Sequence, residues 1–499
     1  MRIQGDGRIL LGGDFTHVNG WARNRIARLF ANGKIDAGPI DLGFNPAPNQ
    51  AVDTLALQGD GRILVTGRFG IIGGWSQPRI ARLTSSGVAE TSFTPSVGSH
   101  IAATPQSDGR VLIYGNSGLW VDGYSKVGIA RLLPNGRLDS SFDVATDGGV
   151  KAVVSQADGS TLIGGPFTQV GGRRHTALAR LNPDGTVDHT FNPSLIFTTS
   201  TGNAQVWAIA TQEDGKILIG GWFDEVNGES RINFARVHPD GTLDREFNPS
   251  IQGNIHSIAV QADGRVIVGG QIYRLGGLAD RSNLGRFNAD GTLDAEFNPR
   301  VASGVDFIAL QADGRAVIGG PFYRVGDQVR FYLAKLNVDG TLDGSFDAKL
   351  GPYYSAHDGG NPYTGVLQAD GRLLIGGMGF RTPPSSDVTY FARVFNTGPA
   401  TEDLSLEPTG SSVTWRRGGT GPEVSSVTFD VSADGVNFTP LGRATRVEGG
   451  WRLDGLGLGQ GRRFYIRARG LFASSHGGRF GSKTSSSFVE SVRVVEATN

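Results

Sequence analysis

Short apolar runs separated by tight-turn sequences recur along most of the chain. In one unit, residues 206–210 and 217–221 are apolar runs on either side of a Gln-Glu-Asp-Gly sequence at 212–215. Asp-Gly favours a hairpin turn because these residues readily adopt the positive φ that such turns need. A third run at 233–237 leads through Pro-Asp-Gly into a segment that carries Phe247. No sustained 3.6-residue period appears, so the pattern predicts short strands paired as two hairpins.

The unit recurs eight times at intervals of 48 to 57 residues, which is visible in its Gln-x-Asp-Gly sequence. The glycines of this sequence are Gly7, Gly61, Gly109, Gly159, Gly215, Gly264, Gly314 and Gly371. Four short strands in about fifty residues are typical of one propeller blade. We therefore predict an all-β chain whose residues 1–398 form a β-propeller of eight four-stranded blades. Repeat 1 lacks most of its first strand and repeat 8 lacks its tail, so seven closed blades plus a leftover hairpin is the alternative.

Residues 399–499 lack the repeat and predict a second all-β domain. An Asp-Gly turn at 434–435 separates two alternating segments, and an aromatic strand follows at 464–469. These features predict a small C-terminal β-sandwich that looks like a fibronectin type III or immunoglobulin-like domain.

The repeat sequence resembles the delta-60 repeat family of bacterial β-propeller proteins. The resemblance rests on Gln-x-Asp-Gly-(Arg/Lys), Gly-Gly-x-Phe, Ala-Arg-Leu, Asp-Gly-Thr-Leu-Asp and Phe-Asn-Pro, and it covers residues 1 to about 398. It implies an exported or cell-surface propeller with a sandwich tail, and it implies no reaction. Residues 1–7 are not a signal peptide and look like the middle of a repeat, so we expect a truncated N-terminus.

Composition narrows the classes of partner and chemistry. Lys and Arg number 47, as do Asp and Glu, so no net charge attracts nucleic acid or an anionic membrane. The chain contains no Cys, which excludes disulfides, thiolate catalysis and cysteine zinc sites. No apolar run approaches the roughly 18 residues needed to span a bilayer.

Residues that recur in every repeat are expected to stabilise the structure of the blade. The Arg of each Ala-Arg-Leu sequence should pack its stem and pair with a carboxylate or with backbone carbonyls, with an anion-binding ring as the alternative. The Asn-x-Asp-Gly-x-x-Asp sequences fit hairpin turns with Asx hydrogen bonds. Ca²⁺ is the alternative there, but the full ligand set of a calcium loop is missing. We therefore expect no cofactor and assign no metal ligand.

Residues at positions that vary between repeats are the better candidates for a ligand-binding site. They lie mainly in the connection between the second and third strands, where aromatic and Arg side chains suit a polar ligand. The candidates for ligand contact are His17, Trp21, Trp75, Arg173, His175, Tyr273, Arg274, Tyr323, Arg324, Tyr354 and His357.

These patterns favour a non-enzymatic binding or scaffold protein that presents a propeller rim to a carbohydrate or protein ligand. The alternative is a glycan-active hydrolase or lyase with its site at the propeller axis, although no catalytic residue is assigned. An enzyme should bring unrepeated carboxylates or His together at one mouth of the channel. A binding protein should present aromatic and backbone groups there instead. The sequence leaves the oligomeric state open.

Overall fold

A computed structural model describes most of the chain. It covers residues 69–84, 88–98, 101–106, 108–115, 118–198, 202–278, 280–348, 399–459, 463–476 and 483–496, with short segments between 2 and 67 and between 362 and 394. These residues contain β-strands and turns and no helix, so none of them forms a helix able to cross a membrane.

The strands of blades 1 to 4 are β1 (Arg2–Ile3), β2 (Ile9–Gly12), β3 (His17–Val18), β4 (Trp21–Ala22), β5 (Ile26–Leu29), β6 (Val52–Leu57), β7 (Ile63–Gly67), β8 (Ile71–Ile72), β9 (Trp75–Ser76), β10 (Ile80–Leu83), β11 (Ala102–Pro105), β12 (Val111–Tyr114), β13 (Leu119–Val121), β14 (Tyr124–Lys126), β15 (Ile129–Leu132), β16 (Ala152–Ser155), β17 (Thr161–Gly164), β18 (Gln169–Val170), β19 (Arg173–Arg174) and β20 (Leu178–Leu181). Those of blades 5 to 8 are β21 (Leu195–Ile196), β22 (Gln205–Thr211), β23 (Ile217–Trp222), β24 (Glu225–Val226), β25 (Glu229–Ser230), β26 (Phe234–Val237), β27 (Ile251–Val260), β28 (Val266–Leu275), β29 (Leu284–Phe287), β30 (Phe307–Leu310), β31 (Ala316–Gly319), β32 (Arg324–Val325), β33 (Gln328–Val329), β34 (Leu333–Leu336), β35 (Pro362–Leu367), β36 (Leu373–Arg381) and β37 (Val388–Val394). Those of the C-terminal domain are β38 (Ala400–Leu406), β39 (Ser412–Gly419), β40 (Ser426–Ser432), β41 (Thr439–Arg443), β42 (Thr445–Val447), β43 (Gly450–Asp454), β44 (Arg463–His476) and β45 (Lys483–Glu496).

Each repeat forms one antiparallel blade, and the described residues contain eight such sheets. In blade 5, β22 pairs with β23, and β23 pairs with β26. The fourth strand is reduced to a single bridge, Val237↔Leu243, and the same bridge recurs in blades 2, 3, 4, 6 and 7. The Phe-Asn-Pro tail follows within a few residues, and Pro has no N–H with which to extend the ladder. The prediction of an all-β propeller with a small C-terminal sandwich is confirmed.

The first strands of the blades form the inner ring of the propeller. Each of β6, β22, β27 and β30 contacts the first strand of a neighbouring blade. The apolar core lies between the blades: Val206 and Ile209 of blade 5 share one buried cluster with Ala152 and Leu178 of blade 4. Both faces of the inner strands are therefore covered, which explains their continuous apolar runs.

The Gly-Gly pair at the end of the second strand is required by close packing. A Cβ on Gly221 would lie 1.9 Å from the carbonyl oxygen of Gln205 in the same blade. A Cβ on Gly220 would lie 2.8 Å from Cγ2 of Ile255 in the next blade. The first glycine thus lets the blades approach, and the second accommodates a bulge in the first strand.

The arginine of each Ala-Arg-Leu sequence joins adjacent blades. Nε of Arg131 donates to Asp139 at 2.7 Å, and its Nη atoms donate to the carbonyls of Pro183 and Asp184 in the next blade at 3.2 and 3.1 Å. The guanidinium lies 4.7 Å from the ring centroid of Phe142, which begins the tail of the same repeat. We call this arrangement the arginine latch.

The latch recurs around the ring. In blades 2, 4, 5 and 6 the Arg–carboxylate pairs are Arg82–Glu90, Arg180–Asp188, Arg236–Asp244 and Arg286–Asp294. Arg180, Arg236 and Arg286 also donate to a turn carbonyl of the following blade. The predicted structural role of these arginines is confirmed, and their donors are engaged within the protein rather than presented as an anion-binding ring.

The acidic turn residues are also engaged within the blade. Oδ1 of Asp240 accepts hydrogen bonds from the backbone N and Oγ1 of Thr242 at 2.9 and 2.7 Å. Asp184, Asp290 and Asp339 form the same pair of bonds in their own turns. The predicted Asx turns are confirmed. The described residues contain no group of three or more His, Asp or Glu placed to hold a metal ion.

The C-terminal strands form a small sandwich of two sheets. One sheet has the order β38-β39-β43-β42, and the other has the order β45-β44-β40-β41. Trp415 and Trp451 are buried between them. Assignment of this domain to the fibronectin type III or immunoglobulin-like class stays a prediction.

The hairpin β44–β45 extends from the sandwich into the axis of the propeller. It contacts the first strands of seven blades, namely β6, β11, β16, β22, β27, β30 and β35. Thr484 pairs in parallel with Ala152 of β16, so blade 4 and one sheet of the sandwich are continuous. We call this segment the axial hairpin, because it lies where a propeller otherwise has an open channel.

Replacing the latch arginine by alanine is expected to destabilise the protein strongly. Arg131→Ala leaves the buried Asp139 with only the longer 3.7 Å contact to Arg110, so the free energy of unfolding should fall by about 3–5 kcal/mol. Urea unfolding followed by tryptophan fluorescence measures this change. Arg245→Ala is the control, because the exposed Arg245–Glu229 pair should contribute under about 1 kcal/mol. Equal losses in the two variants would contradict the latch.

Stability is expected to fall in acid because the pKa values of the latch aspartates Asp139, Asp188, Asp244 and Asp294 are lowered. Burial by itself raises the pKa of Asp188, but hydrogen bonds from Thr190 and Arg180 outweigh it and lower the pKa to about 2. A carboxylate with a lowered pKa stabilises the fold above its unfolded pKa near 4, and that contribution is lost as pH falls toward 2.

Asp188→Asn should therefore flatten the decline in unfolding free energy between about pH 5 and pH 2. The same urea titration across this range measures it. Asp327→Asn removes an exposed carboxylate and should keep the wild-type slope. If the unfolding free energy of Asp188→Asn fell with pH as steeply as that of the wild type, Asp188 would not be the source of the acid sensitivity.

Shortening the axial hairpin is expected to loosen the inner ring. Residues 473–486 would be replaced by an Asn-Gly turn, which leaves the sandwich strands in place. Amide exchange in β16 and β22 should accelerate because these strands lose a contact that covers them. The strands β39 and β43 serve as the internal control and should keep their protection. Unchanged exchange in the inner strands would show that the hairpin does not support the ring.

Candidate functional site

Two faces of the propeller follow from the course of each blade. The second and third strands are joined by a short two-stranded ribbon, such as β8–β9 with Ile72↔Trp75 or β13–β14 with Val121↔Tyr124. In blades 1 to 7 these connections lie at the same end of the blade, which we call the ribbon face. The Gln-x-Asp-Gly and Pro-Asp-Gly turns lie at the opposite end, which we call the turn face.

The sandwich covers part of the turn face. The backbone N of Ala312 donates to Gly421 O at 2.8 Å, and that of Glu423 donates to Leu310 O at 3.0 Å. The backbone N of Arg446 donates to Glu213 Oε1 at 3.1 Å. Between blades 3 and 4 and the sandwich lies a cleft of about 300 Å³. The ribbon face is thus the broad face that these sandwich contacts leave open.

Several predicted site residues lie exposed on the ribbon face. Trp75 of blade 2, Tyr273 of blade 6 and Tyr323 of blade 7 are 56, 70 and 44% exposed. The exposed arginines on the same ribbons and strand ends are Arg173, Arg274 and Arg324. Aromatic and guanidinium groups therefore occur together on this face.

His175 departs from the expectation of an exposed loop residue. Its side chain is only 1% exposed, and its Nε2 lies 3.2 Å from Nδ1 of His189. Burial, followed by the neighbouring His189, lowers the pKa of His175. The chain turns inward after the exposed pair Arg173–Arg174, so His175 belongs to the interior of blade 4.

For four other predicted site residues, the side chain or the whole residue lies outside the described part of the chain. His17 and Trp21 belong to β3 and β4, which pair as the ribbon of blade 1, and their side chains are not described. Tyr354 and His357 lie outside the described residues.

The structure adds aromatic residues that sequence reasoning missed. Trp120 and Tyr124 are exposed on the ribbon of blade 3, and Trp222 is exposed at the end of β23. Tyr124 occupies the ribbon position that Trp75 holds in blade 2, since each pairs with the last residue of the preceding ribbon strand. Aligning the ribbons position by position would have found Tyr124.

A second set of unrepeated residues lies on the inner strands at the ribbon-face end. In each of blades 4 to 7, one residue of the first strand pairs with the first glycine of the Gly-Gly sequence. The residue directly before it is Lys151 in blade 4, Trp207 in blade 5, His256 in blade 6 and Asp306 in blade 7. Trp207 and His256 are the extra residues of β-bulges. We call these four residues the inner-rim set. A bulge re-aims a side chain away from the regular pleat, and bulges are frequent beside functional sites.

Three aromatic rings cluster at this rim. The ring centroids of Trp207 and Trp222 are 5.1 Å apart, and Phe197 stacks on Trp222 at 6.3 Å. Nε1 of Trp222 donates to Oδ1 of Asn254. Trp222 is partly exposed, so the cluster presents an aromatic surface to solvent.

Charged groups continue the rim on both sides of the aromatic cluster. Nδ1 of His256 lies 3.2 Å from Oδ1 of Asp306, and both side chains are largely buried. Burial lowers the pKa of Lys151. Within the described residues, Lys151 forms no hydrogen bond or ion pair through its ammonium group. The rim therefore combines aromatic, imidazole, carboxylate and ammonium groups.

The repeats match a known family model, whereas other similarities are remote. No curated protein matches the chain. A solved structure of a presumed gluconolactonase is 13% identical with a TM-score of 0.25, covering 66% of this chain and 89% of the other. The glycoside hydrolase family 74 xyloglucanase of Xanthomonas campestris is 12% identical with a TM-score of 0.26, covering 98 and 90%. At these values neither structure carries an inference about activity.

The family match covers half of the chain. The model described as "Domain of unknown function (DUF5122) beta-propeller" matches residues 4–38, 58–93, 106–142, 156–191, 212–247, 261–297 and 311–346. These segments are the first seven repeats, and they contain the latch arginines and the Asx turns. The chain therefore belongs to the DUF5122 β-propeller family, which is the delta-60 kind of repeat that its sequence motifs indicate.

Proposed function

We propose that the protein binds carbohydrate on its ribbon face and does not turn it over. The observation that carries the proposal is the set of exposed aromatic side chains on this face. They occur in blades 2, 3, 5, 6 and 7 as Trp75, Trp120, Tyr124, Trp222, Tyr273 and Tyr323. Trp and Tyr are frequent at binding surfaces, because each offers a large apolar face together with a hydrogen-bonding group.

The chemistry of the face suits a sugar polymer. A pyranose ring offers a flat apolar side to an aromatic ring and a rim of hydroxyls to hydrogen-bonding groups. Arg173, Arg274 and Arg324 supply such donors beside the aromatic residues. Since the aromatic residues come from separate blades, one extended chain of sugars can contact several of them. A protein ligand for the same surface is one outcome of the experiment below.

A second candidate, a glycan-active hydrolase or lyase, is favoured by one observation. His256 and Asp306 are unrepeated, lie within hydrogen-bond distance and stand at one end of the inner ring. A paired imidazole and carboxylate can act as a general base. Against this candidate, the axial hairpin occupies the centre of the ring, where the substrate of an axial site would bind.

A glycan array followed by calorimetry tests the proposal. Trp75→Ala, Tyr273→Ala and Tyr323→Ala should each weaken binding of the selected glycan by about tenfold, because each removes an aromatic contact surface. Val88→Ala and Val436→Ala truncate exposed apolar residues away from the ribbon face and should leave affinity unchanged.

The failure of every arrayed glycan to bind, or equal affinities in all variants, would overturn the proposal. Capture of a defined protein that the same aromatic variants release would place a protein ligand on this face instead. A reducing-sugar assay distinguishes the enzyme. Release of sugar by the wild type that His256→Ala abolishes would establish the second candidate.

A further inference from the structure

The inner-rim set occupies one structural position in four consecutive blades. Lys151, Trp207, His256 and Asp306 come from blades 4, 5, 6 and 7, whose first strands contact one another in that order. The 3.2 Å approach of His256 to Asp306 shows that side chains at this position reach those of the next blade. Trp207 therefore lies between Lys151 and His256 along the rim.

Contact between blades accounts for two residues of the inner-rim set, since His256 lies within hydrogen-bond distance of Asp306. The preceding residue is buried and apolar in each blade, namely Val150, Val206, Ile255 and Val305. The position itself holds an ammonium, an indole, an imidazole and a carboxylate. A position that packs the blade would repeat its residue type, as the latch arginine does. The variety at the rim thus points to contacts outside the repeat, and the axial hairpin beside Ala152 is one of them.

Lys151 carries the charge that defines the ligand. Its ammonium group is partly removed from water, and no described carboxylate forms an ion pair with it. Removing an ammonium from water without a counter-charge is unfavourable, and burial lowers the pKa of Lys151 accordingly. An anionic group on a ligand would offset this cost.

We infer that the inner rim is a subsite for an acidic sugar, with its carboxylate at Lys151 and its ring against Trp207. The inference rests on the proposed function and specifies the class of glycan. Trp222 and Phe197 extend the stacking surface. His256 and Asp306 offer hydrogen-bonding groups to the hydroxyls on the far side of the ring. The axial hairpin ends beside this rim, since Thr484 pairs with Ala152 next to Lys151.

Oligomers of galacturonic acid and the same oligomers after methyl esterification form a matched pair of probes. They share ring and linkage, and only the acid carries charge. The 499-residue chain should bind the acid form at least tenfold more tightly at low salt. Raising the salt concentration should reduce this preference because it screens the ion pair.

Variants of Lys151 distinguish an effect of its charge on binding from an effect on folding. Lys151→Gln should lose about tenfold in affinity for the acid oligomer and keep its affinity for the ester, whereas Lys151→Arg should retain the preference. Lys126→Gln is the matched control, because Lys126 lies on the ribbon of blade 3 and pairs with Asp143. Its affinity should change by less than twofold. Thermal melts check that each variant is folded.

Equal wild-type affinities for acid and ester would overturn the subsite. Equal losses in Lys151→Gln and Lys126→Gln would also overturn it, because the preference would then reflect the general charge of the face. Failure to bind the acid oligomer overturns the subsite even if other glycans bind. The aromatic variants report separately on the proposed function, since they should weaken any glycan that the face holds.

Discussion

The ring depends on an arginine that reaches from the third strand of one blade to a turn of the next. A planar guanidinium has enough donors to bind a carboxylate of its own blade and carbonyls of its neighbour, while its face rests on a phenylalanine. For Arg131 these partners are Asp139, the Pro183–Asp184 turn and Phe142. One side chain thereby connects three of the repeated motifs, which explains why those motifs recur together at fixed spacing.

This rigid frame separates residues that maintain the blade from residues that remain available for binding. Gly-Gly pairs, Asx turns and latch residues are fixed by contacts inside or between blades. Ribbon residues and the inner-rim set vary in type from blade to blade, although some of them also contact a neighbouring blade, as His256 contacts Asp306. A site composed of single residues from several blades is rigid because each is carried by a packed strand. That arrangement suits selective binding of an extended ligand.

The axial hairpin changes where a ligand is expected. Propellers often bind ligands at the axis, but here β44 and β45 contact the first strands of seven blades. The hairpin also makes one sheet of the sandwich continuous with blade 4 through Ala152 and Thr484. The two domains therefore share one continuous sheet. The surface left open is the ribbon face and its inner rim, where the exposed aromatic residues lie.

The sequence by itself determined the period, the strands, the turns and the structural role of the arginines. These features depend on neighbouring residues, since Asp-Gly turns, glycine pairs and alternating apolar runs act over a few positions. It also located the ribbon residues Trp75, Tyr273 and Tyr323. Only the tertiary structure decided that His175 is buried, that the fourth strand is a single bridge, and that Lys151, Trp207, His256 and Asp306 share one rim. The shared rim depends on residues about fifty positions apart that meet at blade interfaces, as His256 and Asp306 do. The axial hairpin joins residues more than three hundred positions apart, and no local pattern encodes such a contact.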